Sequence, residues 1–133
     1  MQPLDRTTWR GALLTRRTVA MLQAAEQQSG VRIEIGQGSY NPGGVAASGS
    51  THDKEAADLR VRSLTAAQRV SLVRELKNAG FAAWYRAASA QWSAHIHVLP
   101  IGGDLSPAAG RQVQSYLAGR DGPPLHGRLQ VVE

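Results

Sequence analysis

Four histidines and no cysteine leave imidazole and carboxylate as the strong metal ligands available to this chain of 133 residues. Two of the four form His95-Ile96-His97 within an apolar stretch. On a strand, residues i and i+2 face the same way, so both imidazoles project from one face while Ile96 and Val98 project from the other. Clustered imidazoles suit a divalent metal, and they equally suit a pair of polar residues on a half-exposed sheet. Further donors stand upstream, where Ser50-Thr51-His52-Asp53-Lys54-Glu55-Ala56-Ala57-Asp58 leaves a Gly-rich stretch. A catalytic zinc takes three protein ligands from His and Asp or Glu and keeps a fourth position for water, a count that His52, Asp58 and one downstream His satisfy. On residue types alone, Asp53, Lys54 and Glu55 read as well as a solvated turn, and Asp58 as a strand-edge charge.

The elements that must position these groups are legible from periodicity and caps. Thr15 or Thr18 can cap a helix over 16–29, with Gly30 at its left-handed stop. Val31, Ile33 and Ile35 alternate with Arg32 and Glu34 as a half-buried strand does. From Gly36 to Thr51 the sequence GQGSYNPGGVAASGST predicts an irregular loop, followed by a short strand over 56–61 with Ala56, Asp58 and Arg60 on one face. Thr65-Ala66-Ala67-Gln68 has the capping-box form and opens a helix that ends at Asn78-Ala79-Gly80. Strands are predicted over 81–85 and 95–101. Ser106-Pro107 then starts a helix to about residue 117, stopped by Gly119. The order α, β, β, α, β, β, α, without strict βαβ alternation, predicts an α+β fold with a small antiparallel sheet and flanking helices. One domain over 1–122 is expected, with 123–133 a loosely attached Gly/Pro-punctuated tail that holds His126 as an exposed residue.

Composition narrows the function classes. A formal charge of +5 favours anionic partners, but the 13 Arg and 2 Lys are spread along the chain, and no helix-turn-helix or zinc-finger spacing appears, so nucleic acid is not the expected partner. No apolar run approaches the roughly 18 residues of a membrane helix, and the first residues lack the apolar core of a secretory signal. A monomer, cytoplasmic as encoded and reaching a cell wall by lysis or through a holin, is the expectation.

Ser-x-His, a later Asp and a downstream His-x-His resemble the zinc D-alanyl-D-alanine carboxypeptidase family, which shares its fold with the Hedgehog signalling domain. More closely, QGSYNPGGVAASGSTHD, AADL, GFAAWYR, HIH and LSPAAGRQVQSYLAGRDG, in that order, look like small bacterial and phage-associated members. The resemblance covers about residues 9 to 122. It implies that His52, Asp58 and His97 bind Zn2+, that His95 stands beside the metal, and that Ser50 matches the Ser of the Ser-x-His motif. It further implies that a metal-activated water cleaves a peptide bond, typically in peptidoglycan stem peptides.

The chain departs from that family pattern at three places. Five residues separate His52 from Asp58 where the family usually has six. Ala94 occupies the position three before His97, where many members carry a Glu general base. His95 is then the expected proton acceptor, imidazole being the side chain whose ordinary titration lies nearest neutrality. Finally, Gln37-Gly38-Ser39-Tyr40 lacks the Arg that commonly holds the substrate carboxylate. Gln37, Tyr40, Ser50, Trp84 and Arg86 are the expected substrate contacts, with Tyr85 and Trp92 as further aromatic surface. The competing readings are the same zinc scaffold acting on a small metabolite or non-wall peptide, and a catalytically silent domain that binds zinc or cell wall.

Overall fold

The computed structural model describes residues 5–40, 54–90 and 92–119. Its first feature is a hairpin, β1 (Arg6–Trp9) and β2 (Ala12–Thr15), paired antiparallel. Sequence periodicity does not reveal it, because four-residue strands are too short to show a pattern. Its signal is the two-residue link: Arg10 and Gly11 both take positive φ, 52° and 81°, the requirement of a type I′ hairpin turn. Glycine adopts that geometry without strain, and Arg10 is held in it by a bidentate contact to Glu26 and a bond from Nη1 to the Ile33 carbonyl (2.8 Å).

Helix α1 (Arg16–Ser29) starts where Thr15 Oγ1 accepts from the Thr18 backbone N–H, and it ends at Gly30, φ 70°. Thr15, not Thr18, is the cap. The strand expected over 31–35 does not form there. Ile33 donates its backbone N–H to Glu26 Oε1 (2.8 Å) and gives its carbonyl to Arg10, so side chains satisfy the groups that a neighbouring strand would use. Val31 and Ile33 are nevertheless buried, which accounts for the alternation. Strand β3 is the shorter Ile35–Gln37, and it takes in the first residues of the expected loop. Gly38 then passes so close to β2 that an added Cβ would lie 2.7 Å from the Leu13 carbonyl oxygen.

β4 (Ala57–Arg60), α2 (Ala66–Asn78), β5 (Phe81–Arg86), β6 (His95–Pro100) and α3 (Pro107–Leu117) follow within a residue or so of the predicted bounds. The Thr65–Gln68 capping box and the Ser106 cap are both formed. The main sheet is antiparallel in the order β3-β4-β6-β5. The described residues thus form an α+β fold, with two small antiparallel sheets and three helices.

Alternation along the strands splits this sheet into two unlike faces. Ala57, Leu59, Phe81, Ala83, Ile96 and Val98 form one core with Leu22 and Ala25 of α1 and Leu72, Val73 and Leu76 of α2. On the other face Ala56, Ala82, Trp84 and Leu99 pack against Ala109 and Val113 of α3. Helix α3 covers that face only in part, and the remainder carries the polar residues.

Candidate active site

The strand register builds the site. Asp58 on β4 lies opposite His97 on β6, and His97 lies opposite Trp84 on β5. The next row across the same face is Arg60, His95 and Arg86. Gln37 on β3 lies opposite Asp58. Six residues expected at the site from sequence (Gln37, Asp58, Trp84, Arg86, His95 and His97) therefore share a face, while His52 and Ser50 lie outside the described residues.

His97 is buried, and both of its nitrogens are engaged: Nδ1 lies 2.8 Å from Asp58 Oδ1, and Nε2 lies 3.0 Å from Oε1 of Gln112 on α3. Trp84 stacks on the imidazole with ring centroids 5.7 Å apart, and Tyr116 of α3 meets Trp84 edge-on at 5.4 Å. Trp84 is 1% exposed, so it supports His97 from within the core rather than walling a cleft as expected. With the Gln112 amide oriented this way, both ring nitrogens face oxygen acceptors. In that orientation Nε2 donates to Oε1, and the 2.8 Å Nδ1–Oδ1 contact also holds a proton. The ring is thereby fixed between a carboxylate and an amide oxygen. Imidazole and carboxylate are donor types that zinc accepts, and here the two are bonded to each other. Among the described residues no three His, Asp or Glu side chains come together as a metal cage. The third expected ligand, His52, falls outside them.

His95 stands beside this pair, with Nε2 3.8 Å from Asp58 Oδ1. Its Nδ1 donates to the Ser93 carbonyl (2.9 Å), since a carbonyl can only accept. The lone pair of the neutral ring is therefore on Nε2, the nitrogen turned toward Asp58. Trp92 packs edge-on against His95 at 6.0 Å and donates Nε1–H to the Ala87 carbonyl (3.2 Å).

Arg86 is half-buried, and burial pushes its guanidinium down to about 10, opposed by attraction to Asp58. Its Nη2 is buried without a hydrogen-bond partner among the described residues. Tyr40 is held elsewhere: its hydroxyl donates to Asp104 Oδ2 (3.2 Å) and its ring lies under the Arg6 guanidinium at 3.7 Å. Burial and the neighbouring carboxylates Asp104 and Glu55 raise the Tyr40 phenol above its ordinary value. Ala94 lines a cleft of about 360 Å3 together with Gln37, Asp58, Arg60, Arg62 and His95.

Lys54 and Glu55, just before β4, do not form a plain solvated turn. Glu55 is fully buried and accepts from Thr15 Oγ1 (2.5 Å), Arg17 Nη2 (2.5 Å), Thr18 Oγ1 (3.2 Å) and the Asp104 backbone N–H (2.6 Å). This carboxylate ties the entry to β4 onto the start of α1 and the turn before α3. A buried charge satisfied by several donors is a fixed anchor. Gln112 and the two arginines of the cleft are the site residues that sequence reasoning missed. Gln112 could have been found as the polar member of the stripe Ala109, Gln112, Val113 and Tyr116, whose spacing puts all four on one helix face.

No family model, curated protein or solved structure matches the chain. No helix among the described residues is long and apolar enough to cross a membrane.

Proposed function

We propose that the chain is a zinc-dependent peptidase-like hydrolase that cleaves a peptide amide bond, with peptidoglycan stem peptides as its substrate class, on a domain of the Hedgehog and D-alanyl-D-alanine carboxypeptidase type. The observation that carries this reading is the Asp58–His97 pair, 2.8 Å apart on adjacent strands, with Gln112 fixing the far side of the imidazole. The four-stranded antiparallel sheet with helices on both faces supports the fold assignment.

In this account Asp58, His97 and His52 hold the metal. When bound, zinc activates water and polarises the scissile carbonyl. His95 accepts the proton at Nε2, because its Nδ1–H is committed to Ser93. Asp58, facing His95 at 3.8 Å, stabilises the imidazolium so formed. Trp84 and α3 keep water from the buried side of His97.

The test is hydrolysis of purified muropeptides and of blocked peptide amides by the zinc-loaded chain, followed as release of new amino termini. Cleavage is expected, lost in Asp58→Ala and His97→Ala. His95→Gln should lower kcat by about 10²–10⁴-fold while keeping its zinc. A chain that binds zinc and cleaves none of these substrates would instead be a silent binding domain, the reading favoured by the presence of Asp58 as the single carboxylate among the described residues that line the cleft.

A further inference from the structure

Asp58, His97 and Gln112 stand on three separate elements, β4, β6 and α3, so the row they form depends on how α3 is seated against the two strands. The apolar part of that seat is small: Ala109 and Val113 of α3 rest on Ala56, Ala82, Trp84 and Leu99. Apolar contact is non-directional and fixes a helix less closely than hydrogen bonds do. Directed contacts gather where the chain entering β4 meets the turn between β6 and α3. Glu55 donates its backbone N–H to the Asp104 carbonyl (2.9 Å), and its Oε2 accepts the Asp104 backbone N–H (2.6 Å).

The Glu55 carboxylate is also held by the start of α1, where Thr15 Oγ1, Arg17 Nη2 and Thr18 Oγ1 all donate to it. Helix α1 has no acidic residue in its own first turn, and Glu55 supplies the negative charge that this helix end favours. The residues on either side are fastened as well: the Lys54 carbonyl accepts from the Tyr40 backbone N–H (3.0 Å), and the Ala56 carbonyl accepts from Ser39 Oγ (2.8 Å). A Cβ on Gly103 would lie 2.9 Å from Glu55 Oε2 and 2.7 Å from Pro100 Cγ, so the turn closes on the carboxylate at a residue with no side chain. Burying such a charge adds little net stability, because desolvation offsets the attraction. What several directed bonds do fix is relative position.

We propose that Glu55 is a positioning residue for the site. Through Asp104 it seats α3 so that Gln112 meets His97, and through β4 it sets Asp58, three residues further on, against the other side of the same imidazole. The consequence for zinc rests on the hydrolase reading; the consequence for the hydrogen bonds of His97 does not.

The test uses the full chain and three variants. Glu55→Gln keeps the shape of the side chain and removes its charge, and Arg17→Met removes one donor from a half-buried position. Leu76→Ala, buried against the opposite face of the sheet, is a control that loses stability without touching Glu55. In the zinc-free chain the His97 ring N–H and Gln112 side-chain amide signals are read by NMR under conditions where folding is complete; zinc affinity is then read by competition with a chelator. In Glu55→Gln the His97 signal bonded to Gln112 is expected to be lost, with zinc bound about 10–100-fold more weakly. Arg17→Met should shift the same signals by less, and Leu76→Ala should leave them in place. Signals unchanged in Glu55→Gln, or moved as far by Leu76→Ala, would overturn the proposal and leave Glu55 an anchor of stability alone. If Glu55→Gln does not fold, Arg17→Met decides by the same reading, and unchanged signals there overturn the proposal. A wild type that binds no zinc, yet loses the His97 signal in Glu55→Gln, would leave the positioning role standing and remove the hydrolase reading.

Discussion

The two faces of the main sheet are made by alternate residues of the same strands, yet they have opposite characters. One presents Ala57, Leu59, Ala83, Ile96 and Val98, each at most 2% exposed, to two helices. The other presents Asp58, Arg60, Arg86, His95 and His97 from the same strands, and one helix covers only part of it. The difference teaches a division of labour: the apolar face supplies the stability that lets the polar face hold a buried imidazole against a carboxylate. If so, substitutions on the first face should cost stability, and those on the second should chiefly change what the site binds.

The largest effect is expected on the apolar face. Leu76→Ala empties a fully buried position between α2 and the sheet and should cost about 2–5 kcal/mol in chemical denaturation. A loss under about 1 kcal/mol would break the comparison. On the polar face, Gln112→Leu leaves His97 Nε2 buried without its acceptor and should cost about 1–3 kcal/mol. It should also weaken zinc binding about 10–100-fold in a competition with a chromophoric chelator, with partial rescue by Gln112→Glu, which restores an acceptor. Unchanged zinc affinity in Gln112→Leu would reduce Gln112 to packing.

The smallest effect lies away from both faces, at the pair that holds the hairpin to α1. The Arg10 guanidinium, together with the Ile33 backbone N–H, keeps the Glu26 carboxyl below its usual value. A depressed folded value means the unfolded chain binds protons more readily, so the pair's contribution is present above the ordinary Glu range, near pH 4.5, and is lost as pH falls through the folded value. Both side chains are about a quarter exposed, so the contribution should stay under about 1 kcal/mol. Glu26→Gln should flatten the acid limb of the stability profile by that amount and leave zinc binding unchanged.

Much of this was legible in the sequence, for identifiable reasons. Caps and periodicity placed the three helices of the described residues, and the His-x-His spacing put both imidazoles on one face, because these signals are local. The segment 31–35 misled because burial and strand pairing are separate facts: Val31 and Ile33 alternate inward while Glu26 and Arg10 take the Ile33 backbone. The Arg10-Gly11 hairpin was missed because its strands are only four residues long. Trp84 reads as cleft aromatic or as core from sequence, and only the placement of α3 decides for the core. Gln112 and Arg60 owe their roles to register and to helix docking, long-range relations that no spacing rule carries.

The central claim, that Asp58 and His97 are metal ligands, is tested most directly by elemental analysis of the purified full chain and of Asp58→Ala, His97→Ala and His52→Ala, prepared without chelator. The account predicts about one zinc per wild-type chain and its loss in each variant, with folding verified by circular dichroism. A folded wild type that stays metal-free when zinc is supplied, or an Asp58→Ala variant that keeps its full zinc, would contradict it.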